Sequence, residues 1–118
     1  MARPLHAVAE TPQFVRDIAA AGLSDRERQF IIDTLAANPT IGDEVRGSGG
    51  VRKVRFAGRG KGKSGGFRAM AAYFGPDVPV YLLALLSKGE RANFSDAEIA
   101  AFKSLTVAIA RDWKRRRK

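Results

Sequence analysis

Cysteine is absent from the 118 residues, which excludes disulfide bonds and the usual cysteine-bearing zinc sites. Histidine occurs once, at His6, so a multi-histidine metal centre or acid–base site is excluded as well. Long apolar runs are missing too. The longest, Val78 to Leu86, is broken by Pro79 and falls far short of the roughly 20 residues a membrane-spanning helix requires. The opening residues MARPLHAVAE contain no apolar stretch of the secretory-signal kind. These absences lead us to expect a soluble, cytoplasmic protein without metal or cofactor. It should form one domain over residues 1–118, of a size that buries about two-thirds of the surface its unfolded chain exposes.

Acidic residues are in short supply: 12 Asp and Glu stand against 21 Lys and Arg, a net charge of +9. A positive field of that size favours a polyanionic partner. The excess is concentrated. Residues 51–68, VRKVRFAGRGKGKSGGFR, hold Arg52, Lys53, Arg55, Arg59, Lys61, Lys63 and Arg68 and no acidic residue at all, and a second run, KRRRK, occupies 114–118 as part of a basic tail from about residue 111. In the first block the cations alternate with Val51, Val54, Phe56 and Phe67, the pattern of a folded segment rather than a frayed one.

The tripeptide Gly62-Lys63-Ser64 is the end of a P-loop pattern, but that pattern needs a glycine at position 57, where Ala57 stands, and a helix after the serine, where the strand-like FRAMAAYF follows. A nucleotide site is therefore not expected. Glycines alternating with Arg59, Lys61 and Lys63 suit a cationic hairpin tip that approaches a phosphodiester backbone closely.

The element pattern reads as α+β. Leu5 to Ala9 reads as a short strand. Thr11-Pro12 starts a helix that runs to Ala21 and stops at Gly22. Ser24 with Glu27 is a capping box for a second helix, with Phe30, Ile31, Leu35 and Ala36 on one face and Asn38-Pro39 at its end. The two helices should form an antiparallel hairpin. After a turn-like stretch, Thr40 to Gly50, the period changes to two, and Val51 to Ala57, Gly66 to Phe74 and Val80 to Ser87 read as antiparallel strands. Ser95 with Glu98 opens a last helix whose Ile99, Phe102, Leu105, Ile109 and Trp113 recur at helical spacing, to lie on the domain or on a partner.

Four segments carry a family likeness: ETPQF (10–14), GSGGVRKVRF (47–56), GRGKGKSGGFR (58–68) and YLLALLSKGERANFSDAEI (81–99). In order and spacing they resemble the RelE/HigB toxins of type II toxin–antitoxin modules, the HigB-like branch in particular, over about residues 5–105. The resemblance implies a compact α+β domain, with an N-terminal strand and helical hairpin on a curved antiparallel sheet and a C-terminal helix. It also implies an endoribonuclease that cuts mRNA on the ribosome and so inhibits translation. The partner it implies is a cognate antitoxin of helix-turn-helix type with an acidic or amphipathic inhibitory segment, through which operator DNA is contacted indirectly.

Metal-independent RNA cleavage uses the 2′-OH as nucleophile on the adjacent phosphate, which requires proton removal, charge stabilisation and protonation of the 5′-oxygen. With His6 read as a structural residue of the first strand, lysine and arginine remain for this work, since guanidinium groups hold phosphate oxygens bidentately. Strand geometry puts Lys53 and Arg55 on one face, and Arg52, Val54 and Phe56 on the other. By the resemblance, Lys53 and Arg55 fall on the family's basic pair, Arg68 on its phosphate-contacting arginine, and Lys88 on a basic residue near the scissile phosphate. Lys53 is then the proton acceptor, Arg55 and Arg68 the phosphate stabilisers, and Lys88 a further charge stabiliser or proton donor. Arg52, Arg59, Lys61, Lys63, Arg91 and Phe94 are the expected RNA contacts. Two departures stand out: Phe94 replaces a tyrosine of the better-known branch, which keeps stacking and loses the hydroxyl, and Leu86 replaces a frequent aromatic. Fewer aromatics mean fewer stacking platforms for bases, and a non-catalytic nucleic-acid-binding or regulatory module of the same fold is the alternative.

Overall fold

The computed structural model describes residues 5–57, 66–87 and 94–116. Thr11 opens α1 (Pro12–Ala21): its hydroxyl accepts the Phe14 N–H, and Pro12 occupies the first helical position, where no N–H is needed. Gly22 ends the helix with φ 73°, and its N–H and that of Leu23 return to the Ala19 and Ile18 carbonyls. The capping box of Ser24 and Glu27 opens α2 (Asp25–Ala37) with reciprocal bonds of 3.1 and 2.8 Å. Ser95 and Glu98 repeat the device, at the same two distances, for α3 (Asp96–Arg116).

Five strands, β1 (Val8–Glu10), β2 (Asp43–Glu44), β3 (Val51–Phe56), β4 (Phe67–Ala72) and β5 (Val80–Ser87), form one sheet in the order β1-β5-β4-β3-β2. The neighbours from β5 to β2 are antiparallel, but β1 joins β5 parallel, with Val8 beside Val80, so the sheet is mixed. The first strand begins later than the sequence suggests because the backbone before it is already engaged: the His6 N–H donates to the Ala36 carbonyl at the end of α2. Likewise the stretch 40–50 is not all turn, since Asp43 and Glu44 pair with Lys53 and Arg52.

Alternation along the strands makes two cores. One face carries Val54, Phe56, Ala69, Ala71, Val80, Leu82 and Leu85, closed by Phe14 and Ile18 of α1 and Ile31 and Leu35 of α2. The other carries Val51, Met70, Ala72 and Leu83, with Ile99, Phe102 and Ile109 of α3 and Phe94 packed on them. The last helix thus packs on its own domain. A register shift at Met70/Ala71 leaves Leu83 as an extra residue of β5, and the Thr11 hydroxyl donates to the Leu82 carbonyl beside it at 2.8 Å.

Two helical positions differ from the apolar reading of the sequence. Leu105 is 41% exposed, whereas Thr106 is buried at 2%, because the stripe facing the sheet steps through 99, 102, 106, 109 and 113. Thr106 is satisfied there: its hydroxyl donates to the Ser48 carbonyl at 2.9 Å. Phe30, read as sharing one face with Ile31 and Leu35, is 63% exposed, whereas those two are buried. Polar contacts complete the frame. Arg28 of α2 grips Glu10 of β1 with two bonds of 2.6 and 2.7 Å, which raises the guanidinium pKa further above its ordinary value. Among the described residues no helix is long and apolar enough to cross a membrane.

Candidate functional site

The register of β3, β4 and β5 settles which cations share a surface. Arg55 lies directly opposite Arg68, and Arg68 directly opposite Leu86; one row along, Asp43, Lys53, Met70 and Ala84 stand side by side across four strands. Lys53, Arg55 and Arg68 all project on the α3 face, since Met70 belongs to that core and residues two apart along a strand point the same way. Directly opposed residues have Cβ atoms only about 4.5–5.5 Å apart, so guanidinium groups on these stems reach a common phosphate. Arg55 is exposed, and Lys53 and Arg68 are half-buried.

This arrangement carries an electrostatic cost. Like charges directly opposite in a sheet repel, and among the described residues neither Arg55 nor Arg68 has a hydrogen bond or an ion pair to offset it. An anion held between the two would remove the repulsion, which makes the pair a binding feature more readily than a structural one.

The apolar margin of the site is set by the β5 end and by α3. Leu86 fills the row beside Arg68, and Phe94 is half-buried, edge-on to Phe102 with centroids 5.2 Å apart. Phe94 therefore sits by the same face as the three cations and anchors the start of α3. The two tyrosines do not join it. Tyr81 pairs with Ala72, opposite Val51, at the other end of the strands, where its hydroxyl accepts the Trp113 indole N–H at 2.6 Å. Tyr73 packs against His6, whose Nε2–H donates to the Val78 carbonyl at 2.7 Å, in keeping with a structural histidine.

Of the other expected contacts, Arg52 emerges on the opposite face and donates to the Gly42 carbonyl at 2.9 Å, bracing the turn before β2; the structure does not bring it to the three cations. Lys88, Arg59, Lys61, Lys63 and Arg91 lie outside the described residues.

Sequence reasoning missed the residues that hold this surface in place. Asp17 of α1 accepts the Leu85 N–H at 2.9 Å, capping the edge of β5 beyond the point where β1 ends. Nothing in an isolated aspartate on an amphipathic helix signals that role. The GSGG of residues 47–50 did stand out, and its use is now visible: the Ser48 hydroxyl donates to the Val45 carbonyl at 2.6 Å and accepts the Val51 N–H at 3.0 Å, while Gly49, at φ 80°, lets the loop touch Thr106 where a Cβ would overlap the hydroxyl. The loop before β3 is thus the seat of α3.

Comparison with known proteins bears on family and fold. The family model described as the RelE toxin of the RelE/RelB toxin–antitoxin system matches residues 9–115. Among solved structures, a free-state double arginine-to-alanine mutant of the E. coli toxin RelE is similar in fold, with a TM-score of 0.52 at 13% identity, over 87% of this chain and 98% of that one.

Proposed function

The chain belongs to the RelE family of toxin–antitoxin toxins, and from that premise we propose that it inhibits translation by cutting mRNA on the ribosome, with Lys53, Arg55 and Arg68 at the scissile phosphate. The observation that carries the reading is the pairing of Arg55 with Arg68 across β3 and β4, on the same face as Lys53.

In the reaction the 2′-oxygen forms a bond to phosphorus, the P–O5′ bond breaks, and the products are a cyclic phosphate and a free 5′-OH. Lys53 takes the 2′-OH proton as the free amine, the form of lysine that has a lone pair to accept it. Arg55 and Arg68 face the non-bridging oxygens, where negative charge grows as the five-coordinate phosphorus forms, and guanidinium donors preset at that place stabilise the transition state more than the substrate. Lys88, the residue that follows β5 in the sequence, is the group assigned to give the 5′-oxygen its proton as the P–O5′ bond breaks. The three cations stand on a sheet surface with Arg55 exposed, which suits a strand presented already oriented by the ribosome, because orientation lowers the barrier without a deep cleft.

Production of the chain without an antitoxin should arrest growth in the cytoplasm where ribosomes work, with transcripts cut within translated regions. Alanine at Lys53 or Arg68 should abolish both effects while the folded protein accumulates normally. Intact mRNA together with salt-dependent RNA binding would instead favour a binding module, in which the same alanines lower affinity and the salt slope.

A further inference from the structure

Helix α3 is apolar on both sides. Ile99, Phe102 and Ile109 face the sheet, yet the outward half between Ala97 and Ala108 carries no charge either: Ala97, Ala100, Ser104 and Val107 are exposed there, Val107 at 42%, with Leu105 at 41% on the far flank. A helix that only covers a sheet turns charged and polar residues outward. The two charged residues within this stretch point elsewhere, since Glu98 closes the capping box and Lys103 runs beside Gly49. Charge resumes only at the ends, with Asp96 before the stretch and Arg111 after it. We propose that this face binds a second copy of the chain, the two α3 helices packing antiparallel about a two-fold axis.

The occupant follows from symmetry and charge. At about 100° per residue, Ala97, Ala100, Ser104, Val107 and Arg111 fall within an arc of about 80°, at alternating spacings of three and four, which is the seam along which two helices pack. Asp96 borders that seam. Asp96 and Arg111 are both exposed, and among the described residues neither has a hydrogen bond or an ion pair. About 22 Å of helix separates them, so they cannot meet within one copy. A two-fold axis through their midpoint, between Lys103 and Ser104, sets Asp96 of each copy against Arg111 of the other. The same axis sets Ala100 against Val107, small beside large, on both sides. One operation thus pairs the charges and fits the apolar side chains, a coincidence that a partner of unrelated sequence would not require.

Two chains of +9 repel at long range, but exposed charges are screened beyond about 10 Å at 0.1 M salt, whereas the seam and its two ion pairs act at contact. One pair of helices buries less than the roughly 1,200 Å² of a standard complex, so the association is weak and reversible. It also changes what surrounds the cationic row. Within one copy the basic end of α3 is remote from that row, since Trp113 is held by Tyr81 at the other end of the strands. The antiparallel course carries Lys114 of each copy about 4.5 Å beyond Asp96 of the other, to the helix start where Phe94 lies by the three cations. The basic tail of one copy is thereby brought to the margin of the row in the other.

The test is sedimentation velocity of the purified chain over about a hundredfold range of concentration near 0.15 M salt, where a reversible monomer–dimer equilibrium is expected. Val107→Asp should weaken it by about tenfold or more, because the change enters twice, while Val15→Asp, on α1 and 45% exposed, leaves it unchanged. Asp96→Lys and Arg111→Glu should each weaken it by about fivefold, and the double variant should return to within about twofold of the wild type, since the reversed charges meet again. In a chain without cysteine, Ser104→Cys beside the axis should give a disulfide-linked dimer on mild oxidation that Val15→Cys does not. Should Val107→Asp misfold by circular dichroism, the charge reversals decide. A wild type that stays monomeric over the whole range overturns the proposal, as does a double reversal no better than either single variant, or a Ser104→Cys chain that cross-links no faster than Val15→Cys. A monomeric chain in which Val107→Asp abolishes the binding of a different protein assigns the face to that protein and overturns it equally. A chain that dimerises through this face but leaves mRNA intact sinks only the cleavage reading, on which the proposal does not rest.

Discussion

On the α1–α2 face of the sheet, Val54, Ala69, Ala71, Leu82 and Leu85 are closed over by Phe14, Ile18, Ile31 and Leu35, and the one cation that β3 sends to this side, Arg52, turns to the Gly42 carbonyl at the margin. On the α3 face the same strands carry Val51, Met70 and Ala72 under the helix, and then Lys53, Arg55 and Arg68 toward the loop end. One face is a sealed core and the other is divided between packing and charge. The period of two in a strand is what allows this: neighbours in sequence serve opposite purposes, so Phe56 stabilises the fold while Arg55 beside it is held by that stability in a place it would not choose. The sealed face supplies the rigidity, and the divided face spends some of it on bringing like charges together.

If that division is right, the largest effect on stability lies on the sealed face. Phe14→Ala removes a fully buried ring between α1 and the sheet, and should cost about 3–5 kcal/mol in urea unfolding, a large share of the roughly 5–15 kcal/mol that holds a domain folded. A loss below about 1 kcal/mol would mean that the hairpin is not the clamp described. The opposite signature belongs to the cations. Arg68→Gln should lower kcat/KM for ribosome-bound mRNA by about 10²–10³-fold, or roughly 3–4 kcal/mol, with a urea midpoint near that of the wild type. Equal losses of stability and activity would make Arg68 a structural residue.

Between these extremes stands the seat of α3. Gly49→Ala puts a Cβ into the Thr106 hydroxyl on a residue at φ 80°, and should cost about 1–3 kcal/mol. Because α3 covers the face that carries the cations, the mutant should also lose some cleavage activity, and restoring room with Thr106→Ser should recover little, since the hydroxyl itself is what collides. Full recovery of stability by Thr106→Ser would place the clash at the methyl instead.

Much of this was legible before the structure because it depends on short-range rules. Thr11-Pro12 and the two Ser-x-x-Glu boxes marked helix starts by a local exchange of hydrogen bonds, and the boundaries of α1 and β5 followed to the residue. The common face of Lys53 and Arg55 needed only the strand period. What escaped depends on distant partners. The parallel entry of β1 beside β5 joins residues about 70 apart, and no local pattern encodes the direction of such a pairing. Thr106 was passed over for Leu105 because hydropathy ranks the leucine higher, whereas the Ser48 carbonyl, buried beneath α3, requires a donor. Phe30 shares a helical face with Ile31 and Leu35 in the sequence, yet it lies 63% exposed and edge-on to Phe56, because which part of that face the sheet covers depends on how α2 docks. At the site, Arg68 was found through its motif, and its position opposite Arg55 became known only with the β3–β4 register.

That register supports the smallest and most specific prediction. If Arg55 and Arg68 are opposed without a neutralising partner, a double-mutant cycle between them should give a repulsive coupling of about 0.2–1 kcal/mol at low ionic strength, so that removing either charge relieves the other. Gln substitutions suit the cycle, because they shorten the stems least and keep the half-buried packing of Arg68. The coupling should shrink toward zero near 1 M monovalent salt, where the Debye length is about 3 Å and the two charges no longer sense each other. A divalent oxyanion such as sulfate should act at lower concentration than chloride, since one ion bridging two guanidinium groups converts repulsion into shared attraction. A coupling that is absent, attractive or indifferent to salt would separate the two side chains in space, and the divided face would then lose the feature that distinguishes it from an ordinary charged surface.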